Sequence, residues 1–446
     1  MLRKINGTAD PSGACLPIKE AAFPEPFYDG LQYAPPARGT WNIVHTTLCV
    51  PETHQIYICG LGCLRGCTLT AAEVEGGIQH FSSIIMEERE MYEGTMEDAI
   101  VSGVKEILDH LPYTPKAVFM YPSCIHHIMG SDMDGVYDIL RKAYTHIRFV
   151  PCWMDPMRRR TNLPPELRTR SQVYALLPQR QKTRKSVNII GSNLPVAADS
   201  MLVRLVQESG AVLRQLPLCK TYDEYEKMGE SFLNIAYDPV AEMALHTQSK
   251  RLGQEKLFLP SSYVYEDIEK NMDALAAALD LPQPDYSGEI AACEAAFKEA
   301  KTRIGNRPVA IDAAAVFMPF SLARTLVEHG FNVQRVYADV MNDRDKIHVE
   351  WLKKHAPELM VYSIRNAKMR VLPHDAEGFL GIGQKAGYYT GTHQFVDMAE
   401  GGGLVDFAGI RTLLAWLCKA AVSDMDPRAY IRVKGWRFAS CRQDMQ

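Results

Sequence analysis

The sequence has no long hydrophobic run and little net charge. No apolar stretch approaches the roughly 18 residues that a membrane-spanning helix needs, and residues 1–6 lack the apolar run of a signal peptide. The formal net charge at pH 7 is only -4, whereas nucleic-acid-binding domains are typically basic. We therefore expect a protein without a membrane segment, whose main partner is not a nucleic acid.

The eleven cysteines cluster rather than spread through the chain. An odd, clustered set suits a metal site better than a disulfide framework, which predicts a reducing compartment, the cytoplasm. The chain has 446 residues, of which 47% are hydrophobic and 23% charged. These values are typical of an ordinary globular protein with two to four domains.

Residues 49–67 contain the densest cysteine cluster. Its cysteines and glycines are Cys49, Cys59, Cys63, Cys67, Gly60, Gly62 and Gly66. Glycine lets the backbone bend closely around a bound group, so we assign Gly60 and Gly62 to cofactor binding. Because glycines disfavour a helix, we predict a loop that enters a helix near Leu69. Thiolates at this density favour a soft metal site, either zinc or iron–sulfur.

A further cysteine follows a predicted strand. Residues 116–121 are predicted to form a buried strand, and Cys124 comes after its carboxyl end, where ligands of open α/β sheets bind. The preferred metal ligands are Cys49, Cys59, Cys63 and Cys124, and the further candidates are Cys67, Cys15 and Cys152. Structural zinc sites usually show C-x2-C knuckles, and the wider spacing here disfavours zinc without excluding it. The remaining cysteines at 219, 293 and 418 are interpreted as packed apolar side chains.

Three histidines are candidates for proton transfer, because the unperturbed pKa of imidazole lies near neutrality. His126 and His127 directly follow Cys124, and His393 precedes the glycine run 401–403. Ordinary packing is the alternative for each. The glycine-rich βα turn at residues 381–387 gives only weak support for nucleotide binding, since no charged ribose partner follows it.

The order of predicted elements indicates an α/β protein with three Rossmann-like parallel-sheet domains around a central cleft. We predict domains at residues 1–185, 186–304 and 305–446. Residues 1–40, rich in proline and aromatic residues, are expected to form an irregular arm that wraps a surface such as a partner subunit. The basic segment 157–185 is either a solvated linker or a docking surface for an acidic partner.

Several segments resemble the component 1 family of nitrogenase, which includes the molybdenum–iron subunits, the cofactor-scaffold proteins and the dark protochlorophyllide reductase subunits. These segments are residues 58–63, 92–100, 118–124 and 130–132. The resemblance implies that Cys124 is a ligand of an interfacial iron–sulfur cluster. Residues 58–63 are similar to the family's HGxxGC turn, with Cys63 at the ligand cysteine and Cys59 at the histidine. Either Cys49 or Cys15 would then be the family's earlier ligand.

The resemblance implies a nitrogenase-like iron–sulfur oxidoreductase subunit. A [4Fe–4S] cluster or a larger interfacial cluster would be held by Cys49, Cys59, Cys63 and Cys124. Electrons would come from an ATP-dependent iron protein and pass to a small substrate in the cleft between the domains. The chain would form a homo-oligomer, or a hetero-oligomer with a sister subunit.

One departure from the family concerns a second metallocofactor. In the catalytic nitrogenase subunit, the strand that resembles residues 233–235 is followed by the cysteine that holds the large cofactor, whereas Asp238 lies in that region here. The region around His393 loosely resembles the one that, in the family, supplies the second ligand of that large cofactor. The sequence therefore indicates a divergent branch. Two alternatives are a scaffold that builds or carries a cluster, and a non-redox protein with a structural zinc and a small-molecule cleft.

Overall fold

The computed structural model describes residues 13–27, 43–72, 74–155, 157, 163–370, 372 and 378–431. In these ranges the strands are β1 Cys15–Pro17, β2 Thr53–Cys59, β3 Phe81–Ile85, β4 Ala117–Pro122, β5 Arg148–Pro151, β6 Thr183–Ile189, β7 Val212–Gln215, β8 Ser231–Ala236, β9 Glu255–Phe258, β10 Pro308–Asp312, β11 Asn332–Tyr337, β12 Met360–Tyr362, β13 Leu380–Ile382 and β14 Phe395–Val396. They form three sheets, and helices lie between successive strands.

The helices of the first half are α1 Ile43–Leu48, α2 Leu61–Ala72, α3 Glu88–Glu93, α4 Met96–His110, α5 Cys124–Met129, α6 Met133–Ala143, α7 Pro165–Ala175 and α8 Met201–Glu208. Those of the second half are α9 Tyr222–Glu226, α10 Glu242–Leu252, α11 Tyr265–Ala278, α12 Ser287–Ile304, α13 Pro319–Glu328, α14 Lys346–His355, α15 Gln384–Thr390, α16 Asp406–Ala420 and α17 Pro427–Ile431. None of the described helices is both long and apolar enough to cross a membrane.

The first sheet has the strand order β3-β2-β4-β5, and all its pairs are parallel. Alternate residues of its central strands face two apolar cores: Tyr57 and Tyr121 lie in one, and Ile58 and Met120 lie in the other. A parallel strand that is buried on both faces reads as a continuous apolar run. This pattern explains why β4 was predictable from the sequence.

The second sheet has the order β7-β6-β8-β9, again wholly parallel. The third has the order β1-β12-β11-β10-β13-β14, in which only β1 is antiparallel to its neighbour. The predicted α/β class with three parallel-sheet units is therefore confirmed. The second and third sheets contribute to one continuous apolar core, which includes Val187, Ile235, Ile311 and Val336.

The N-terminal segment is more regular than the predicted arm where the structure describes it. Cys15 pairs with Tyr362 in the antiparallel β1–β12 ladder, so this cysteine lies on the third sheet. The backbone N–H of Ile18 also donates to the carbonyl of Leu359 at 2.7 Å. Residues 1–12 and 28–40 of the predicted arm lie outside the described residues.

The basic segment 157–185 is not a solvated linker in its described part. Helix α7 packs against α1 and α10, and Arg170 on this helix is only 2% exposed. Strand β6 begins within the segment at Thr183. Residues 158–162 of this segment lie outside the described residues.

The βα turn predicted at residues 381–387 is confirmed between β13 and α15. Its Gly383 has φ +97°, a backbone conformation that residues with a side chain rarely adopt. An added Cβ there would lie 2.6 Å from Cβ of Ala315, on the loop that follows β10, and 2.7 Å from Cβ of Asp312, the last residue of β10. The turn therefore requires glycine for two reasons, backbone conformation and space.

We predict that Gly383→Ala lowers the free energy of unfolding by about 3 kcal/mol, since overpacking adds to the left-handed backbone strain. Gly378→Ala is the matched control, because Gly378 also has positive φ (+77°) but open space around it. The control should lose only about 1 kcal/mol. Urea denaturation of both variants measures the difference, and equal losses would contradict the packing argument.

Candidate metal centre

Two cysteines lie at the carboxyl edge of the first sheet. Strand β2 ends at Cys59, and Cys124 comes two residues after the end of β4. These strands are parallel neighbours, with Ile58 opposite Pro122, and the N–H of Ser123 donates to the carbonyl of Ile58 at 3.1 Å. The pairing brings Cys59 and Cys124 to the same edge, as the rule for ligand sites in α/β sheets predicts.

The predicted loop over residues 60–68 is wrong, because helix α2 begins at Leu61. Apart from the adjoining residues and backbone of α2 itself, no described atom lies within 4 Å of the Cβ position that Gly62 or Gly66 would have. These glycines are therefore not needed for close packing within the chain, and they leave the surface of the helix open. The helix places Cys63 and Cys67 one turn apart, with Cys63 exposed and Cys67 partly buried.

The thiols at this edge interact electrostatically with one another. Burial, followed by the neighbouring Cys63 and Cys124, raises the pKa of Cys59 to about 12. Burial also raises the pKa of Cys67 to about 12, with added contributions from Cys59 and Cys63. We call Cys59, Cys63, Cys67 and Cys124 the cysteine group.

The first turn of α5 favours a thiolate at Cys124. Burial, followed by Asp155 and Cys63, raises the pKa of this thiol, while the backbone N–H groups of Cys124 and Ile125 oppose the increase. A buried thiol with a raised pKa stays protonated at neutral pH unless a cation binds it. The cysteine group therefore has the donor chemistry of a soft metal site, in which metal binding would release protons.

The geometry of the cysteine group differs from that of a single-ion site. In the described part of the chain, no three His, Cys, Asp or Glu side chains converge closely enough to hold one metal ion. A structural zinc needs four ligands on one ion. An iron–sulfur cluster binds each thiolate to a different iron, so its ligands lie farther apart than those of a single ion.

The structure does not bring the fourth predicted ligand, Cys49, to this edge. Its Sγ lies 3.9 Å from the carbonyl oxygen of Asn193. Burial raises the pKa of Cys49 to about 12, and its electrostatic neighbours are Glu400, Arg170 and Cys219. Cys67, a further candidate in the sequence, lies in the cysteine group instead.

The other two further candidates lie elsewhere. Cys152 is buried behind the first sheet, where it shares a hydrogen bond with the hydroxyl of Tyr121, and burial raises its pKa to about 12. Cys15 lies in β1 on the third sheet. In the same core as Cys152, the thiol of Cys67 lies 3.2 Å from Met154 Sδ.

The region around Asp238 does not fit a second metallocofactor. Asp238 is buried, and its Oδ2 lies 3.9 Å from Arg170 Nη2. Its Oδ1 accepts a bond from the N–H of Val240, and Arg170 Nε donates to the carbonyl of Gly191. Burial raises the pKa of Asp238 to about 6, and Arg170 opposes the increase. An internal ion pair thus occupies the region in which the family's cofactor cysteine would lie.

His127 lies beside the cysteine group with a partner that the sequence analysis missed. Its Nδ1 is 2.5 Å from Oδ2 of the buried Asp155, and its ring stacks on Trp153 at 3.9 Å. Asp155 also raises the pKa of Cys124. The strand order could have indicated this pair, because Asp155 follows β5, the parallel neighbour of β4, and residues after neighbouring parallel strands lie at the same sheet edge.

The other two histidines have different surroundings. His126 is buried, which lowers its pKa, and its Nδ1 lies 3.2 Å from the carbonyl of Ser123. Within the described residues, His126 Nε2 has no hydrogen-bond partner. His393 is 54% exposed on the third unit and pairs with Asp424 at 2.6 Å. The structure therefore does not place His393 with the cysteine group.

Comparison with known proteins identifies the family. The sequence model of a family described as nitrogenase component 1 type oxidoreductase matches residues 45–398. A solved structure of nitrogenase Cp1 at pH 6.5 is similar, with a TM-score of 0.66, 14% identity, and coverage of 89% of this chain and 94% of that chain. Nitrogenase Cp1 at pH 5 gives a TM-score of 0.63 and 13% identity, with coverage of 92% and 94%.

At these identities, the two solved structures show the fold alone. No curated protein matches the chain. The family model spans well over half of the residues and includes the whole cysteine group. The chain therefore belongs to the nitrogenase component 1 type oxidoreductase family.

Proposed function

We propose that the chain is an iron–sulfur oxidoreductase subunit that receives low-potential electrons from an ATP-dependent iron protein and reduces a small substrate. The cysteine group is the observation that carries the proposal, because two of its thiols follow neighbouring parallel strands at one sheet edge and the other two lie on the helix that starts there. These residues would hold a [4Fe–4S] cluster or a larger interfacial cluster, which supplies one-electron chemistry when bound.

Exposed apolar side chains around the cysteine group support a subunit interface. Leu61 is 72% exposed on α2, and Ile128 and Met129 are 68% and 48% exposed on α5. Large apolar side chains exposed together indicate a binding surface. A second copy of the chain, or a sister subunit, would cover them together with the exposed Cys63.

The His127–Asp155 pair supports proton transfer near the cysteine group. An Asp155 carboxylate that accepts from Nδ1 fixes the orientation of the imidazole and the tautomer in which Nδ1 carries the hydrogen. His127 is therefore the strongest of the three histidine candidates. Reduction that consumes both electrons and protons would use such a residue.

We predict that Cys63→Ala and Cys124→Ala each lose the iron and acid-labile sulfide of the chain. Wild-type protein purified without oxygen should contain about four or more irons per chain. Metal and sulfide analysis, with EPR spectroscopy of the dithionite-reduced protein, measures the loss. One zinc and no sulfide in the wild type would overturn the proposal.

Two control variants distinguish the loss of a cluster ligand from the loss of a cysteine elsewhere in the chain. Cys49→Ala should retain the iron, because Cys49 lies with Asn193 and Arg170 rather than in the cysteine group. Cys418→Ala on α16 should also retain it. Loss of iron in Cys49→Ala with retention in Cys67→Ala would instead support the ligand set predicted from the sequence.

We predict that Leu61→Asp weakens self-association or pairing with a sister subunit by about tenfold or more, because it places a charge at the centre of an apolar interface. Sedimentation velocity measures the association. Val422→Asp is the matched control, since Val422 is apolar and 85% exposed but lies on the third unit. Equal effects of the two substitutions would count against an interface at the cysteine group.

We predict that a pre-reduced, dithionite-free nitrogenase-type iron protein reduces the cluster-loaded chain with MgATP and not with MgADP. The EPR signal of the chain after rapid mixing measures the transfer. Equal signals with the two nucleotides would contradict an ATP-dependent donor. Movement of iron and sulfide from the chain to an added apo-protein, without electron transfer, would support the scaffold alternative.

A further inference from the structure

A groove lies where the predicted second and third domains meet, and no member of the cysteine group lines it. It runs between α12 and α16 and has a volume of about 820 Å³. Its lining includes the small side chains of Ala296, Ala300 and Ala415, together with Leu414. Because these side chains are short, the two helices leave an apolar channel at their surface.

Cationic side chains line this groove. They are Arg303, Arg307, Arg411 and Lys419, and only one carboxylate, Glu299, accompanies them. The whole chain carries a net charge of -4, whereas the charged side chains of this groove are mainly cationic. Charge of one sign over an apolar wall favours a ligand of the opposite sign with an apolar part.

Two of these cations have no carboxylate partner among the described residues, namely Arg307 and Lys419. Arg307 donates only to neutral acceptors: the carbonyls of Gly378, Phe379 and Ala421, and the side chain of Gln394. Arg303 pairs with Glu299 at 2.7 Å, but both are 62% exposed, and such pairs contribute little. The positive charge is therefore available to a ligand.

Arg411 closes the other end of the groove. Its Nη1 lies 2.5 Å from Glu289, a carboxylate that also pairs with Arg204, so its charge is only partly compensated. The uncompensated cations are thus at the end formed by Arg307 and Lys419, where Cys418 also lies. Cys418 is partly exposed and within electrostatic range of Arg303. The rate at which this thiol is alkylated can therefore report whether a ligand occupies the groove.

We propose that the groove between α12 and α16 binds a small amphipathic anion, an apolar chain or ring that carries one carboxylate, sulfonate or phosphate group. The apolar part lies on Ala300, Leu414 and Ala415. The anionic group lies beside Arg303, Arg307 and Lys419. This site is separate from the cysteine group, so its test does not depend on the redox proposal.

The test uses decanoate as the probe and decanol as its uncharged counterpart. We expect decanoate to bind the full-length chain in isothermal titration calorimetry, and to slow alkylation of Cys418 by N-ethylmaleimide at least fivefold. Peptide mass spectrometry resolves Cys418 from the other thiols. Decanol at the same concentration should protect Cys418 much less.

The double variant Arg303→Glu/Lys419→Glu should weaken decanoate binding at least tenfold. Lys298→Glu on α12 is exposed and outside the groove, and it should bind decanoate as the wild type does. Ala415→Trp, which fills the channel without a change of charge, should abolish protection of Cys418. Equal affinity of the double variant and Lys298→Glu, or equal protection by decanol, would overturn the proposal.

Discussion

The parallel pairing of β2 with β4 is the interaction on which the cysteine group depends. This ladder fixes Ile58 opposite Pro122, so that Cys59 and Cys124 follow neighbouring strands at one edge. A shift of one residue would exchange the two faces of β2 and move its alternating apolar side chains out of their cores. The two cores on either side of the sheet therefore also hold the cysteines in place.

Burial gives the cysteine group its electrostatic character. The same cores that hold the sheet raise the pKa of Cys59 and Cys67, so the chain without metal holds neutral thiols rather than a cluster of repelling thiolates. A bound cation reverses that preference. Loading of the proposed cluster would therefore release protons, and the bound group would contribute to the stability of the sheet edge.

The sequence predicted the parts of this arrangement that depend on local pattern. The buried strand before Cys124 was predictable, because β4 is a continuous apolar run. The central strand β2 was missed, since polar residues such as His54 and Gln55 are buried in it through specific hydrogen bonds that no local pattern shows. Helix α2 was missed because its glycines suggested a loop. The separation of Cys49 from the cysteine group depends on tertiary packing, which local sequence cannot show.

Strand β1 protects one edge of the third sheet from aggregation. It pairs antiparallel with β12, which would otherwise be the edge of the third sheet. An open edge presents unpaired N–H and C=O groups that recruit strands from other molecules. The short strand Cys15–Pro17 covers that edge with residues far away in sequence from the rest of the sheet. A chain shortened past Pro17 would keep its cysteine group but expose a template for aggregation.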